Sequence, residues 1–196
     1  MFNPLLQKYR NQVRRALEAH KWERQDDGLI LLPELKMRLG ASIMHDVNGG
    51  DLAVDGNLVV NEGLSLFLVS TLAQGAQVTA LFVAPFSGNV EPAASLTAAT
   101  FTATMTEFTN YTQSARVAWA KDAESGQAIG NATTPSAFTI GSGGGTIWGA
   151  ALVSASAKSS TAGKLVSCGK FAASRVLLAA DALNLTYLFS ASDASA

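Results

Sequence analysis

The sequence predicts a mainly β protein, with a β-sandwich or barrel-like body that contains one packed helix and follows an N-terminal helical and extended arm. From residue 78 onward, short apolar runs alternate with turn-rich pieces, which is the pattern of several short strands. One continuous apolar helix pattern, residues 64–72, precedes these runs. Charge is uneven, because 17 of the 29 charged side chains lie in residues 1–62. We therefore divide the chain into an arm, residues 1–60, and a body, residues 61–196.

The arm opens with a predicted amphipathic helix over residues 3–20. Asn3 can cap this helix, and Pro4 occupies a first-turn position that needs no N–H donor. Apolar residues then recur on one stripe, formed by Leu5, Tyr9, Val13 and Leu17. Because one short amphipathic helix cannot bury its stripe alone, we expect it to lie on this body, on a sister subunit or on another protein.

Residues 1–24 are also basic, with six Lys and Arg side chains against Glu18 and Glu23, a formal charge of +4. This charge fits a solvated helix face, or a docking arm for an acidic partner surface or nucleic acid. Trp22, at the end of the basic helix, is the aromatic residue most readily assigned to an intersubunit contact. The candidate partner-contact residues are Tyr9, Arg10, Arg14, Arg15, Trp22 and Arg24.

The second part of the arm has strand patterns. Apolar and charged residues alternate over residues 34–39, as in a strand with one wet face. Residues 49–60 predict a strand–turn–strand unit with Asp55-Gly56 as its tight turn. A helix then opens at Asn61, runs over Leu64–Leu72 and stops at Gly75. Because this helix is apolar on most faces, we expect it to be central.

The body is predicted to consist of short strands separated by turns. Gly141–Gly145 is glycine-rich like a phosphate loop, but it leads into an apolar strand and lacks a lysine, so it predicts a flexible hairpin tip. The candidate strands are Val78–Val83, Ala115–Trp119, Ala137–Ile140, Thr146–Ser154, Lys164–Ser167, Arg175–Leu178 and Leu183–Phe189.

Residues suited to catalysis or metal binding are few and scattered. His45 precedes Asp46, but no third ligand stands at zinc spacing and no nucleophile accompanies it. Cys168 is the single cysteine, which excludes an intrachain disulfide and favours a small buried residue. Glu107 and the other acids are assigned to turns and surface. We therefore assign no catalytic, cofactor-binding or metal-binding residue, expect no cofactor, and predict that the chain is not an enzyme.

Composition also limits the partners. A formal net charge of −1 argues against a general nucleic-acid or membrane binder, and no window approaches about 18 continuous apolar residues. The start of the chain shows no signal-peptide pattern, so we expect synthesis in a cytoplasm. With only 12 charged side chains after residue 62, the C-terminal two thirds is typical of proteins that lie within assemblies.

The order of motifs over residues 50–190 resembles small structural proteins of tailed bacteriophages, of the kind that decorate or cement the head. The motifs that carry this resemblance are Asn61-Glu62-Gly63-Leu64, Glu107-Phe108-Thr109-Asn110-Tyr111, Arg116-Val117-Ala118-Trp119 and Gly149-Ala150-Ala151-Leu152-Val153. The resemblance implies a virion protein on the capsid surface, made in the host bacterial cytoplasm. It implies binding to the major capsid lattice and to itself as a homo-oligomer, with a trimer expected at local threefold points.

Two alternatives remain at this point. A tail, baseplate, neck or fibre-base protein is one, because short Val/Asp-Gly-Asn strand units like Gly49–Gly63 also occur at fibre shafts. The other is a carbohydrate-binding β-sandwich module, with Trp148 or Tyr111 as a stacking platform.

Overall fold

The computed structural model describes residues 23–24, 30–31 and 37–193, and it confirms a mainly β, sandwich-like fold with two short helices. Residues 40–190 form one compact unit, and residues 1–39 with 191–196 form another. The elements are β1 (Glu23–Arg24), β2 (Ile30–Leu31), β3 (Met37–Val47), β4 (Ala53–Gly56), β5 (Leu58–Val59), α1 (Asn61–Thr71), β6 (Phe82–Phe86), α2 (Ala98–Thr104), β7 (Val117–Ala118), β8 (Ala128–Gly130), β9 (Ser136–Thr139), β10 (Gly145–Val153), β11 (Leu165–Leu177) and β12 (Ala182–Asp193).

The smaller unit contributes one antiparallel pair. In it β1 pairs with β2, so that Glu23 stands opposite Leu31 and Arg24 opposite Ile30. The helix predicted over residues 3–20 lies outside the described residues.

Two antiparallel sheets build the compact unit. Sheet I has the strand order β5-β11-β10-β6-β7, and sheet II has the order β4-β3-β12-β8, with β9 also paired to β12. The long strands β10 and β11 form the centre of sheet I, where Ala151 stands opposite Cys168 on one side and Ala84 on the other. Every edge strand is short, four residues or fewer.

The main core lies between the two sheets. Ala150 and Leu152 of β10 point into it, as the period-2 alternation of a strand requires. Its largest fully buried side chains come from both sheets and the segments beside them, and include Ile43, Phe138, Ile140, Ile147, Leu152, Phe171, Leu177 and Tyr187.

A second core covers the outer face of sheet I. Here the alternate β10 residues Ala151 and Val153 belong to the same apolar cluster as Phe101 of α2. Phe101 meets Phe86 edge to face, with ring centroids 6.3 Å apart. Helix α2 starts with a capping box, in which the side chains and backbone N–H groups of Thr97 and Thr100 bond reciprocally. The central part of sheet I is thus buried on both faces, which explains the continuous apolar runs of β6 and of the second half of β10.

The unit predicted as a hairpin over residues 49–60 contains two strands that belong to different sheets. Strand β4 pairs with β3, whereas β5 pairs with β11. The tight turn lies earlier, at Asn48 and Gly49, which both have positive φ while the Gly50 N–H donates to the Val47 carbonyl at 2.9 Å. Residues 40–60 therefore supply strands to both sheets and belong to the compact unit of residues 40–190.

Candidate interaction surface

Helix α1 is attached to the compact unit through its first turn. The Glu62 carboxylate accepts hydrogen bonds from the backbone N–H groups of Ala98 at 2.8 Å and Leu165 at 2.9 Å, and it lies 3.3 Å from the Lys164 ammonium. Burial alone would raise the pKa of Glu62, but these donors outweigh it and hold the pKa below its usual value. One acidic side chain thus ties α1 to β11 and to the start of α2.

Only a narrow stripe of α1 faces the sheets. Gly63 is buried against the backbone of Val166, so closely that a Cβ atom at this position would overlap the Val166 carbonyl. One turn further, Leu66 packs on the main core. Ser70 follows on the same side, and its hydroxyl donates to the Leu66 carbonyl at 2.7 Å. The inner stripe therefore consists largely of small or polar residues.

The outer side of α1 is apolar and exposed, which contradicts the prediction that the helix is central. We define the α1 face as five side chains, with the exposed fractions Leu64 41%, Phe67 36%, Leu68 55%, Val69 46% and Leu72 76%. The prediction failed because periodicity cannot distinguish burial inside one chain from burial against another. The two apolar cores are filled mainly by side chains of other elements, and the apolar side of α1 is exposed to solvent.

The α1 face continues into an uncharged surface. No Asp, Glu, Lys or Arg occurs between Gly63 and Val90, and most of residues 72–80 are exposed. A groove of about 380 Å³ runs beside the helix, lined by Leu66, Phe67, Ser70, Thr71, Gln77, Val78, Leu81 and Val166. Large exposed apolar surfaces of this kind mark contact sites in folded proteins. The uncharged run between Gly63 and Val90 is the sequence signal from which this surface could have been found.

The Glu107–Arg116 pair, by contrast, is closed to partners. The Arg116 Nε and Nη2 groups donate to the Glu107 carboxylate at 2.8 and 2.6 Å, and both side chains are at most 2% exposed. Arg116 also donates to the carbonyls of Ala155 and Ser160, and Lys158 lies over the Tyr111 ring at 3.7 Å. These residues fasten the loop 155–160 to the segment 107–116, so Glu107 is not the surface acid that the sequence indicated.

His45 is the centre of a second buried network. Its Nε2 lies 2.8 Å from the Asp55 carboxylate, its Nδ1 lies 2.9 Å from the Nε of Arg175, and its ring stacks on Phe171 with centroids 3.6 Å apart. Because the Arg175 Nε can only donate, Nδ1 must accept, and His45 is the neutral tautomer with its proton on Nε2. This satisfied histidine joins β3 and β4 of sheet II to β11 of sheet I.

The two aromatic residues considered for stacking a sugar differ in accessibility. Tyr111 is 5% exposed and has Lys158 over its ring, so its face is not open to a ligand. Trp148 is half-buried, packs on the outer core and has the Lys170 ammonium 5.7 Å from its ring centroid. Tyr111 therefore offers no open face for stacking, whereas Trp148 is only partly covered.

Among the predicted partner-contact residues, Arg24 lies in β1, and Tyr9, Arg10, Arg14, Arg15 and Trp22 lie outside the described residues.

Cys168 is fully buried, as predicted, and burial raises the pKa of its thiol. Within residues 37–193, no three His, Cys, Asp or Glu side chains cluster as a metal site would require. Helices in the described part of the chain are too short to cross a bilayer.

Comparison of this chain with protein-family models, with curated proteins and with solved structures found no match. The α1 face is therefore assigned as the candidate functional surface on its exposure, its composition and its place on the fold.

Proposed function

We propose that this chain is a virion structural protein of a tailed bacteriophage, and specifically a capsid decoration or cement protein that binds and stabilises the major capsid lattice. The observation that supports this proposal is the α1 face, five exposed large apolar side chains on a closely packed β-sandwich. A protein that acts through contact needs area and shape, and the uncharged run of residues 63–90 supplies both.

The sandwich suits this role in a second way. Its short edge strands offer little template for uncontrolled strand pairing with neighbours, so contacts are directed to side-chain surfaces. On a shell that repeats many times, several modest contacts combine into firm attachment through effective concentration. The major capsid protein and other copies of this chain are the proposed partners, and membranes and specific nucleic acids are not.

Immunogold imaging of intact particles whose genome encodes this chain tests the proposal. Label spread over the whole icosahedral shell is the expected result. Label confined to one vertex would favour the tail, baseplate, neck or fibre-base alternative, and particles without label would contradict a virion role. Empty heads supplied with the purified protein should resist heat or low salt better than heads without it.

A further inference from the structure

We propose that Asn48 is a site of spontaneous covalent modification, at which the chain deamidates to aspartate and isoaspartate, and that the folded turn around it controls the rate. Asn48 is the only asparagine of the sequence that is followed by glycine. Both Asn48 and Gly49 are exposed, and both have positive φ, as in a type I′ turn. The inference concerns the chemistry of this turn and does not depend on the proposed function.

The reaction needs water and no other reagent. The Gly49 backbone nitrogen attacks the side-chain carbonyl carbon of Asn48, the Cγ–Nδ2 bond breaks, and ammonia leaves with the proton that the Gly49 nitrogen has lost. The product is a five-membered succinimide ring. Water then opens this ring at either carbonyl and gives aspartate, or isoaspartate, in which the backbone continues through the former side chain. Glycine favours the cyclisation because it has no Cβ atom to hinder the approach.

The hydrogen bonds of the folded turn restrain both reacting groups. The Asn48 Nδ2 donates to the Asp181 carboxylate at 2.8 Å, and the Asn48 Oδ1 accepts from the Ala182 N–H at 2.7 Å. The Gly49 N–H donates to the Asp46 carboxylate at 2.8 Å. These bonds must break before the Gly49 nitrogen can lose its proton and the Asn48 side chain can turn toward it. The reaction in the folded protein therefore requires the turn to open first.

The product would disturb the contact between this turn and the start of β12. The Leu178 N–H and the Asn48 amide hold the pKa of Asp181 below its ordinary value, so this carboxylate is charged near neutral pH. Deamidation replaces the donor Nδ2 by an oxygen and sets a second carboxylate against Asp181. Isoaspartate also lengthens the backbone of the turn, which the Gly50 N–H closes on the Val47 carbonyl. Modification should therefore separate the turn from β12.

The test is peptide mapping by mass spectrometry after incubation of the full chain at neutral pH, folded and in urea. In urea, Asn48 should be modified much faster than Asn89, which is also exposed in the fold but precedes the β-branched Val90. In the folded protein, the rate at Asn48 should be lower than in urea by about tenfold or more, because at least two hydrogen bonds must break first.

Two variants release the restrained groups one at a time. Asp181→Ala removes the acceptor of the Asn48 amide, and Asp46→Ala removes that of the Gly49 N–H. Each should raise the rate in the folded protein about fivefold, which corresponds to one hydrogen bond, and leave the rate in urea unchanged. Asp51→Ala is the matched control. Asp51 is exposed and carries the same charge, but within the described residues its backbone carbonyl accepts a hydrogen bond and its carboxylate accepts none.

Hydrogen exchange tests the consequence of the modification. Asn48→Asp carries the charge of the product, so residues 47–50 and 180–184 should exchange faster in this variant than in the wild type. Unchanged exchange there would overturn the predicted separation from β12. Equal rates at Asn48 in the folded protein and in urea would overturn the proposed control by the turn. So would equal effects of Asp181→Ala and Asp51→Ala, and modification of Asn48 in urea no faster than that of Asn89 would reject the site itself.

Discussion

At the scale of single residues, the buried charges of this protein serve attachment between segments. Glu107 and Arg116 form a bidentate pair whose remaining donors bond to carbonyls of the loop 155–160. The Ser159 N–H adds a further bond to the Glu107 carboxylate at 3.0 Å. A buried ion pair of this kind adds little net stability compared with apolar residues of the same volume. Removal of one partner, however, leaves the other charge buried without a counter-ion.

The Glu107→Gln substitution should therefore destabilise the fold by about 3–5 kcal/mol, because Arg116 would keep its charge without a counter-ion. Urea unfolding followed by fluorescence measures this loss. Glu91→Gln is the control, since Glu91 pairs with Lys170 at 2.8 Å but is 79% exposed, and it should cost less than about 1 kcal/mol. Equal losses in the two variants would show that the Glu107–Arg116 pair is not buried as described.

His45 should make stability depend on pH. Desolvation by burial is the largest influence, and it lowers the pKa of His45 below its ordinary value against the opposing effect of the hydrogen bond that the ring donates to Asp55. Asp55, Arg175 and Asp46 are the charged groups that act on the ring. The unfolded chain then binds a proton at a higher pH than the folded chain does, so stability is full above the ordinary pKa of about 6.5 and falls as the pH drops below it.

Thermal unfolding between pH 8 and pH 5.5 checks this dependence. The wild type should lose stability toward pH 5.5, with a slope of at most about 1.4 kcal/mol per pH unit from this group. His45→Gln should be less stable at pH 8 and should have a flatter profile. Both proteins retain His20, so the difference in slope isolates His45. Parallel profiles would rule out a titration at this site.

At the scale of elements, the sequence predicted those strands that have a clear apolar pattern. It missed elements whose bounds depend on pairing with a distant part of the chain. β9, β10 and the first half of β12 lie within a residue or two of the predicted ranges. Strand β11 was predicted as two pieces because its middle is irregular: four residues lie between Lys170 and Arg175, whereas only one residue of β10 lies between Ile147 and Gly149. Helix α2 was missed, since its run of Ala and Thr carries no strong period.

The candidate surface was only half visible in the sequence. The apolar character and the bounds of α1 followed from residues 61–72, but its exposure did not. Exposure depends on Gly63, which brings the helix against β11 along one thin stripe, and on a core already filled by distant strands. The partners of His45 illustrate the same limit, because Arg175 lies 130 positions away along the chain.

Gly63→Ala should weaken the attachment of α1. The added methyl group would overlap the Val166 carbonyl, and since the obstacle is backbone, the helix must move at a cost of about 1–3 kcal/mol. Gly56→Ala is the matched control, because no atom lies within 4 Å of its added Cβ and its φ is not positive. Hydrogen exchange should report faster opening of residues 61–72 in Gly63→Ala alone. Unchanged protection there would contradict this account of the helix contact.

At the scale of the whole molecule, the fold consists of three packed layers. Sheet II, sheet I and the layer formed by α2 with its neighbouring segments enclose two apolar cores, and sheet I is common to both. The compact unit of residues 40–190 contains all of these layers. Both apolar cores consist of residues from this unit, and for the basic residues 1–24 the sequence predicts a partner contact.

Deletion of residues 1–24 should accordingly leave a folded protein with nearly the same unfolding temperature. The truncated chain should no longer attach to the particle, because it lacks the candidate contacts Tyr9, Arg10, Arg14, Arg15, Trp22 and Arg24. Cosedimentation with heads lacking the native protein measures attachment. Replacement of the four Lys and Arg at positions 8, 10, 14 and 15 by Gln tests the charge alone. Attachment that persists in the truncated chain would assign this contact to the body.

Cys168 has a practical consequence for all of these measurements. It is the single cysteine of the chain and is fully enclosed in the outer core, where its raised thiol pKa disfavours the reactive thiolate. A cysteine introduced on the outside would therefore be the one site that maleimide reagents modify in the native state. Dyes or gold clusters could therefore be attached at chosen positions without first replacing Cys168.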